Sequence, residues 1–263
     1  MSLVMNRIQE HYSYATANID KENVLGIFLI GSQNYGVNLP SSDIDTKLLI
    51  TPKLEDIYQN KTGESKTFYL PCSDEQVAIK DIRFAFKEFK KQNINALEIL
   101  FTDYCIVNKP YQEAWQNLIN QRELIARYDP LRAIKSIKGN VYNTFNRIYL
   151  PSGEISHKQV ANLVRYEYFL KHFINNESYE KCIHPDESTC EYILQIRTGN
   201  MGENSLQIIA DNTFKAIQFL IEAYEQRPNI PMPNPKVEEL LNQTIKSIID
   251  TSFFIEYARN GEM

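Results

Sequence analysis

The sequence predicts an α+β fold: a small mixed sheet with flanking helices over residues 1–110, followed by an all-helical domain over 111–263 that forms the other wall of a cleft. Three observations carry this reading. Short β-rich apolar runs bounded by glycine and polar residues are confined to the first part; beyond Pro110 the apolar residues recur almost entirely at helical spacing; and the chain has neither an internal repeat nor a low-complexity segment.

Residues 3 to about 18 have helical spacing, and the run "NVLGIFLIG" after them reads as a buried strand. "DIDTKLLI" is a second strand, "SKTFYL" a weaker third and "EQVAIKD" a fourth. The period changes at "IRFAFKEFKKQ", which sets Ile82, Phe86 and Phe89 on one helical face. "NALEILF" continues as a short helix ahead of the strand-like "YCIVN". Helices are then predicted over 114–126, 130–149, 157–175, 187–197, 205–225 and 236–258. Pro130 suits a first helical turn, and "RPNIPMPNP" is an extended connector.

A hydrophobic content of 43% with 23% charged residues is that of a folded globular protein. No run approaches the length needed to cross a bilayer, so no membrane partner is expected. The opening "MSLVMNRIQEHYSY" lacks a basic flank followed by an apolar core, and a cytosolic location is the expectation. A net charge of −5 argues against a general nucleic-acid binder while leaving room for a local basic cleft. The four cysteines have no CxxC spacing and read as reduced, structural thiols.

The chemistry concentrates in "IFLIGSQNYGVNLPSSDIDTKLLI". Side chains alternate along a strand, so Asp43 and Asp45 project to one face, where two like charges are unfavourable unless a cation lies between them. Hard oxygen ligands select Mg²⁺ or Mn²⁺, and magnesium is typically held by one or two protein carboxylates plus substrate phosphates. Upstream, the Gly31–Ser32 pair ends an apolar strand in a small-residue turn, the kind of backbone that receives an anionic phosphate. Either element alone is a common accident of sequence; their order and spacing are much less so.

The apolar run, Gly31–Ser32 and the Asp43–Ile44–Asp45 triplet together resemble the signature of the DNA polymerase β-like nucleotidyltransferase superfamily. A narrower resemblance is to the stand-alone predicted nucleotidyltransferases of bacteria and their phages, carried by "GSQNYGVNLPSSDIDTKLLI", "IKDIRFAFKEFKKQNINALEILF", "HKQVANLVRYEYFL" and "ILQIRTGN". It spans roughly residues 27–200. Asn162 stands where that family's tail segment usually has histidine, whereas Arg165 is retained.

The resemblance implies a polymerase β-like catalytic domain. It also implies transfer of a nucleoside monophosphate from a nucleoside triphosphate to an acceptor hydroxyl, with release of pyrophosphate. Gly31 and Ser32 would grip the β and γ phosphates; Asp43 and Asp45 would hold Mg²⁺ or Mn²⁺. A third carboxylate would bind metal and act as base. Asp81, at the end of "EQVAIKD", is the choice for that role, with Asp74 and Glu75 as competitors at the other end of the strand. Asp81 also reads as the N-cap of the helix behind it.

Asn34 and Tyr35 lie in the turn as candidate nucleotide contacts, and Gly36 permits a sharp exit. In the helical part, Arg132, Lys135 and Lys138 form one basic stripe, and Lys158 and Arg165 lie on another helix. Arg165 stands out because an unpaired charge among Leu163, Val164 and Tyr166 would be costly. The four histidines are unclustered and read as neither nucleophile nor metal ligand. The acceptor stays open, a small molecule or a protein being favoured over RNA by the acidity of the chain. Two other readings stand beside this one: a non-catalytic nucleotide- or partner-binding member of the same fold, and an Asp-x-Asp glycosyltransferase using a nucleotide sugar.

Overall fold

The computed structural model describes residues 3–17 and 19–261. After a first helix α1 (Leu3–Thr16) come strands β1 (Val24–Ile30) and β2 (Asp45–Ile50), a short helix α2 (Leu54–Tyr58), then β3 (Ser65–Tyr69) and β4 (Gln76–Asp81). Helices α3 (Ile82–Lys90) and α4 (Ile94–Leu97) lead to β5 (Cys105–Val107). The five strands lie in the order β3-β4-β2-β1-β5. β1 is antiparallel to β2 and β5, β3 is antiparallel to β4, and β2 and β4 are parallel.

The strand residues divide between two apolar layers with a two-residue period, which the register shift between Val24 and Gly26 in β1 interrupts so that Leu25 and Phe28 share a face. Ile27, Leu29, Leu48, Ile50, Val77 and Ile79 meet Ile8 and Ala15 of α1 on one face, whereas Leu25, Phe28 and Leu49 join the larger core on the other. β1 reads as an almost continuous apolar run because both of its faces are covered, whereas β2 opens on Asp45, Thr46 and Lys47 ahead of its apolar end. β3 is an exposed edge, which explains its weaker pattern.

The chain continues through α5 (Gln112–Asn120), α6 (Arg122–Ala126), α7 (Pro130–Phe145), α8 (His157–Ile174), α9 (Tyr179–Ile183), α10 (Glu187–Arg197), α11 (Glu203–Glu225) and α12 (Pro235–Gly261). The expected mixed sheet followed by helices is therefore the architecture found. The larger core runs without a break from Leu25 in β1 to Ile248 in α12, so the parts before and after residue 110 share their interior. α12 returns to the sheet end, where Ser252 Oγ meets Thr51 Oγ1 at 2.7 Å and Glu256 accepts from Leu54 N at 3.1 Å.

Four features differ from the pattern. The predicted 114–126 helix is broken at Gln121, whose non-helical backbone separates α5 from α6. The predicted 130–149 helix stops at Phe145, because Tyr149 pairs with Ile155 around a turn in which Gly153 has φ +88°. α9 was missed because a single turn carries no periodic signal; it is started by Ser178, whose side chain accepts from Lys181 N. The predicted first helix extends to about residue 18, which lies outside the described residues; α1 ends at Thr16.

Candidate functional site

The site lies at the end of the sheet where β1 delivers the chain into the turn beginning at Gly31. Asn34 and Tyr35 N–H both donate to Gly31 O, and Val37 N donates to Ser32 O, folding "GSQNYG" into a tight loop. Gly31 has φ +80°, and a β-carbon there would sit 3.6 Å from Asp45 Oδ2. Glycine is thus favoured by backbone conformation, since a β-carbon would make only an ordinary contact with Asp45. The Gly31 N–H is engaged: it donates to Glu98 Oε2 at 3.2 Å, and Tyr35 OH donates to the same oxygen. Ser32 N–H is not among the turn's internal donors.

Asp45 opens β2 and Asp43 precedes it; Asp43 is exposed, Asp45 half-buried, and Ile44 between them is buried. Burial pushes the Asp45 carboxyl above its usual range and the nearby Asp43 charge adds to this, while hydrogen bonds from Gln76 and the charge of Lys158 oppose it. The two aspartates therefore do share a neighbourhood. Thr46 pairs with Val77 across the parallel strands, which places Gln76 beside Asp45. Glu75 points to the opposite face: its Oε2 receives Arg7 Nε at 2.6 Å and faces His11 Nε2 at 3.3 Å, while Oε1 accepts from Ile44 N at 3.4 Å. Glu75 thus ties the backbone between the two aspartates to α1. The hydrogen bonds from Arg7 and His11 overcome the effect of burial and hold Glu75 below the usual carboxylate range.

Asp81 is not brought to this place. It pairs in register with Ile50, five positions along β2 from Asp45, a separation of about 16 Å at strand rise. It also projects to the α1 side of the sheet with Val77 and Ile79, whereas Asp45 projects to the other. Its carboxylate caps α3 by accepting from Arg83 N at 2.8 Å, and it takes two further bonds from the Arg83 guanidinium at 2.9 and 2.7 Å. The expectation of Asp81 as third carboxylate is corrected accordingly: the reading as N-cap is the one the geometry supports. Among the described residues no three His, Cys, Asp or Glu side chains converge to hold an ion.

A cavity of about 330 Å³ opens beside Asp45, lined from the sheet end by Gly31, Ser32, Tyr35 and Lys47 and from the helices by Lys158, Asn162, Arg165, Tyr166 and Arg197. Arg165 is buried with its guanidinium over the rings of Tyr35 (4.2 Å) and Tyr166 (4.8 Å). Its Nη1 is buried without a hydrogen-bond partner. An orphaned guanidinium nitrogen on a residue of the cavity wall is costly unless a partner completes it. Asn34 also has an unpartnered buried Nδ2, but Asn34 is not part of the cavity wall.

Pattern reading overlooked three residues here. Lys47 is buried and donates from Nζ to Asn95 O at 2.5 Å; burial lowers the pKa of its ammonium group, an effect that Glu98 opposes. Glu98, also buried, has its carboxyl pushed up by burial and drawn down by Lys47 and Tyr35. Arg197 donates to Val37 O and, at 3.2 Å, to Ser42 Oγ, pinning the loop before Asp43 to α10. A lysine at an inward strand position and a glutamate within the apolar block "NALEILF" were the available signals. The stripe of Arg132, Lys135 and Lys138 contributes nothing to the cavity: Arg132 pairs with Asp129 and Lys138 lies 3.6 Å from Glu225.

The residues fit one hard cation better than two. Asp43 and Asp45 supply the one or two carboxylates that magnesium takes when substrate phosphates complete its shell, and the position beside them holds an amide. No protein-family model matches the chain, and no curated protein sequence matches it. Among solved structures, the chain is similar to a nucleotidyltransferase-like protein from Exiguobacterium sibiricum at 12% identity, with 97% of this chain and 91% of that one covered and a TM-score of 0.33.

Proposed function

We propose that the cavity beside Asp45 binds a nucleoside triphosphate together with Mg²⁺ or Mn²⁺ held by Asp43 and Asp45. The chain then transfers the nucleoside monophosphate to an acceptor and releases pyrophosphate. The observation that carries this is the buried, unpartnered Nη1 of Arg165 in the same cavity as the Gly31–Ser32 turn and Asp45. When bound, the cation neutralises phosphate charge and orients the groups that exchange. The chain's own residues do the rest: Arg165 and Lys158 offer donors to the phosphates, and the two tyrosines hold the guanidinium in place. Glu98 fixes the turn through Gly31 N–H and Tyr35 OH.

The test is calorimetric titration of the full chain with ATP, GTP, CTP and UTP in MgCl₂, followed by a pyrophosphate-release assay on whichever binds. Binding of at least one, weakened in Arg165→Met, is expected; absence of binding by all four would sink the proposal. A second reading, nucleotide binding without transfer, is favoured by Gln76 standing beside Asp45. It is distinguished by tight binding with no pyrophosphate released on any acceptor. A small molecule or a protein is the expected acceptor, in keeping with a net charge of −5.

A further inference from the structure

A neutral hydroxyl attacks phosphorus effectively only as it surrenders its proton to a base within hydrogen-bond reach. The carboxylates at this cavity are committed. Asp43 and Asp45 serve the cation in the proposed reading, and Glu98 accepts from Gly31 N–H and Tyr35 OH. Among the described residues no histidine lines the cavity. The group beside Asp45 across the parallel register is Gln76, whose amide takes up no proton. On the other side of the balance, the wall carries Lys47, Lys158, Arg165 and Arg197 against Asp45 and Glu98, and Arg165 keeps a buried nitrogen without a hydrogen-bond partner.

We infer that the acceptor is a phosphate-bearing compound, whose oxygen attacks already ionised. This rests on the proposed nucleotidyl transfer. The acceptor's phosphate oxygen forms a bond to the α-phosphorus while the bond from the α-phosphorus to the bridging oxygen breaks. The electron pair leaves with pyrophosphate, no proton changes hands, and the product is a pyrophosphate-linked conjugate of nucleoside monophosphate and acceptor. Gln76 keeps its amide on Asp45 and disfavours hydroxyl acceptors by offering their proton no base at that position.

The experiment uses the full chain with α-labelled nucleoside triphosphate and MgCl₂ on matched acceptors: glucose 1-phosphate against glucose, phosphoserine against serine, and inorganic phosphate as the free-anion arm. Labelled conjugate should form at least tenfold faster with the phosphorylated member of a pair, or with inorganic phosphate over water. Calorimetry on the metal-free protein should show that same phosphate compound binding, and Arg165→Met should weaken it at least tenfold. Gln76→Glu, checked for folding by circular dichroism, should raise the hydroxyl-to-phosphate rate ratio at least tenfold. Equal or faster transfer to the unphosphorylated members, or nucleotide binding with no phosphate compound accepting, overturns the inference while sparing the nucleotide site. Failure of every triphosphate to bind removes both.

Discussion

The parallel pair β2 and β4 carries an aspartate near each end, Asp45 at one and Asp81 at the other, and their surroundings could hardly differ more. Asp81 is 2% exposed, yet three donors from Arg83 satisfy it within its own helix start. Asp45 is less buried, but it lies against the Gly31 turn, near Asp43, with its carboxyl pushed up by burial. A carboxylate whose bonds close locally is part of the architecture, whereas one held beside a like charge at a cavity wall is, in the proposed reading, the one that meets a cation. Burial alone does not separate the two cases; the partners do.

The sharpest way to break this comparison is to exchange the two roles. Asp45→Asn should lower nucleotidyl transfer about 100-fold or more, since the cation it helps hold contributes several kcal/mol at the transition state. Asp81→Ala should leave the transfer rate within about twofold but reduce stability by about 1–2 kcal/mol in urea unfolding, through loss of a helix cap and of an ion pair. Equal losses of activity in the two variants would erase the distinction.

Arg165→Met comes next in size. Without a charged donor for the phosphates, the triphosphate Kd should rise about ten- to hundredfold, measured by calorimetry, with the melting temperature of the free protein changed little because the orphaned nitrogen is removed along with the charge. An unchanged Kd would place the phosphates elsewhere.

The smallest effect concerns the α1 side of the same strands. Burial lowers the pKa of His11 from its usual 6.5, against the opposing pull of Glu75. The unfolded chain therefore takes up a proton as pH falls through 6.5 that the folded chain resists, so stability declines on acidification by at most about 1.4 kcal/mol per pH unit from this group. Glu75, held low, adds a loss in the same direction at lower pH, as its folded form resists protonation longer than the unfolded chain does. In His11→Gln the pH 7 to 6 portion of the decline should flatten; an unaltered slope there would mean another group titrates.

Much of this molecule is legible in its residues because the relevant signals are local. The apolar run before Gly31, the Asp43–Asp45 alternation and the helical period from Ile82 to Phe89 each reflect backbone geometry within a few residues. Arg165 was equally readable, since a guanidinium among Leu163, Val164 and Tyr166 on a buried helix needs a partner from outside its own turn. Lys47 and Glu98 were harder to see. Each is an ordinary residue in its own segment, and becomes unusual only when β2 and the turn after α4 place a buried ammonium near a buried carboxyl.

The sequence by itself determined that a glycine turn, a strand and a pair of aspartates would occupy one end of a small sheet, because chain alternation and glycine's conformational range are properties of adjacent residues. Strand pairing decided the rest. An aspartate at the end of β4 is equally compatible with a catalytic role and a capping role until its partner strand and direction are known. The parallel register of β2 with β4 puts Gln76, rather than Asp81, beside Asp45, and the two-residue period sends Asp81 to the opposite face. Register is a relation between segments separated by a long connection, and only the folded chain expresses it.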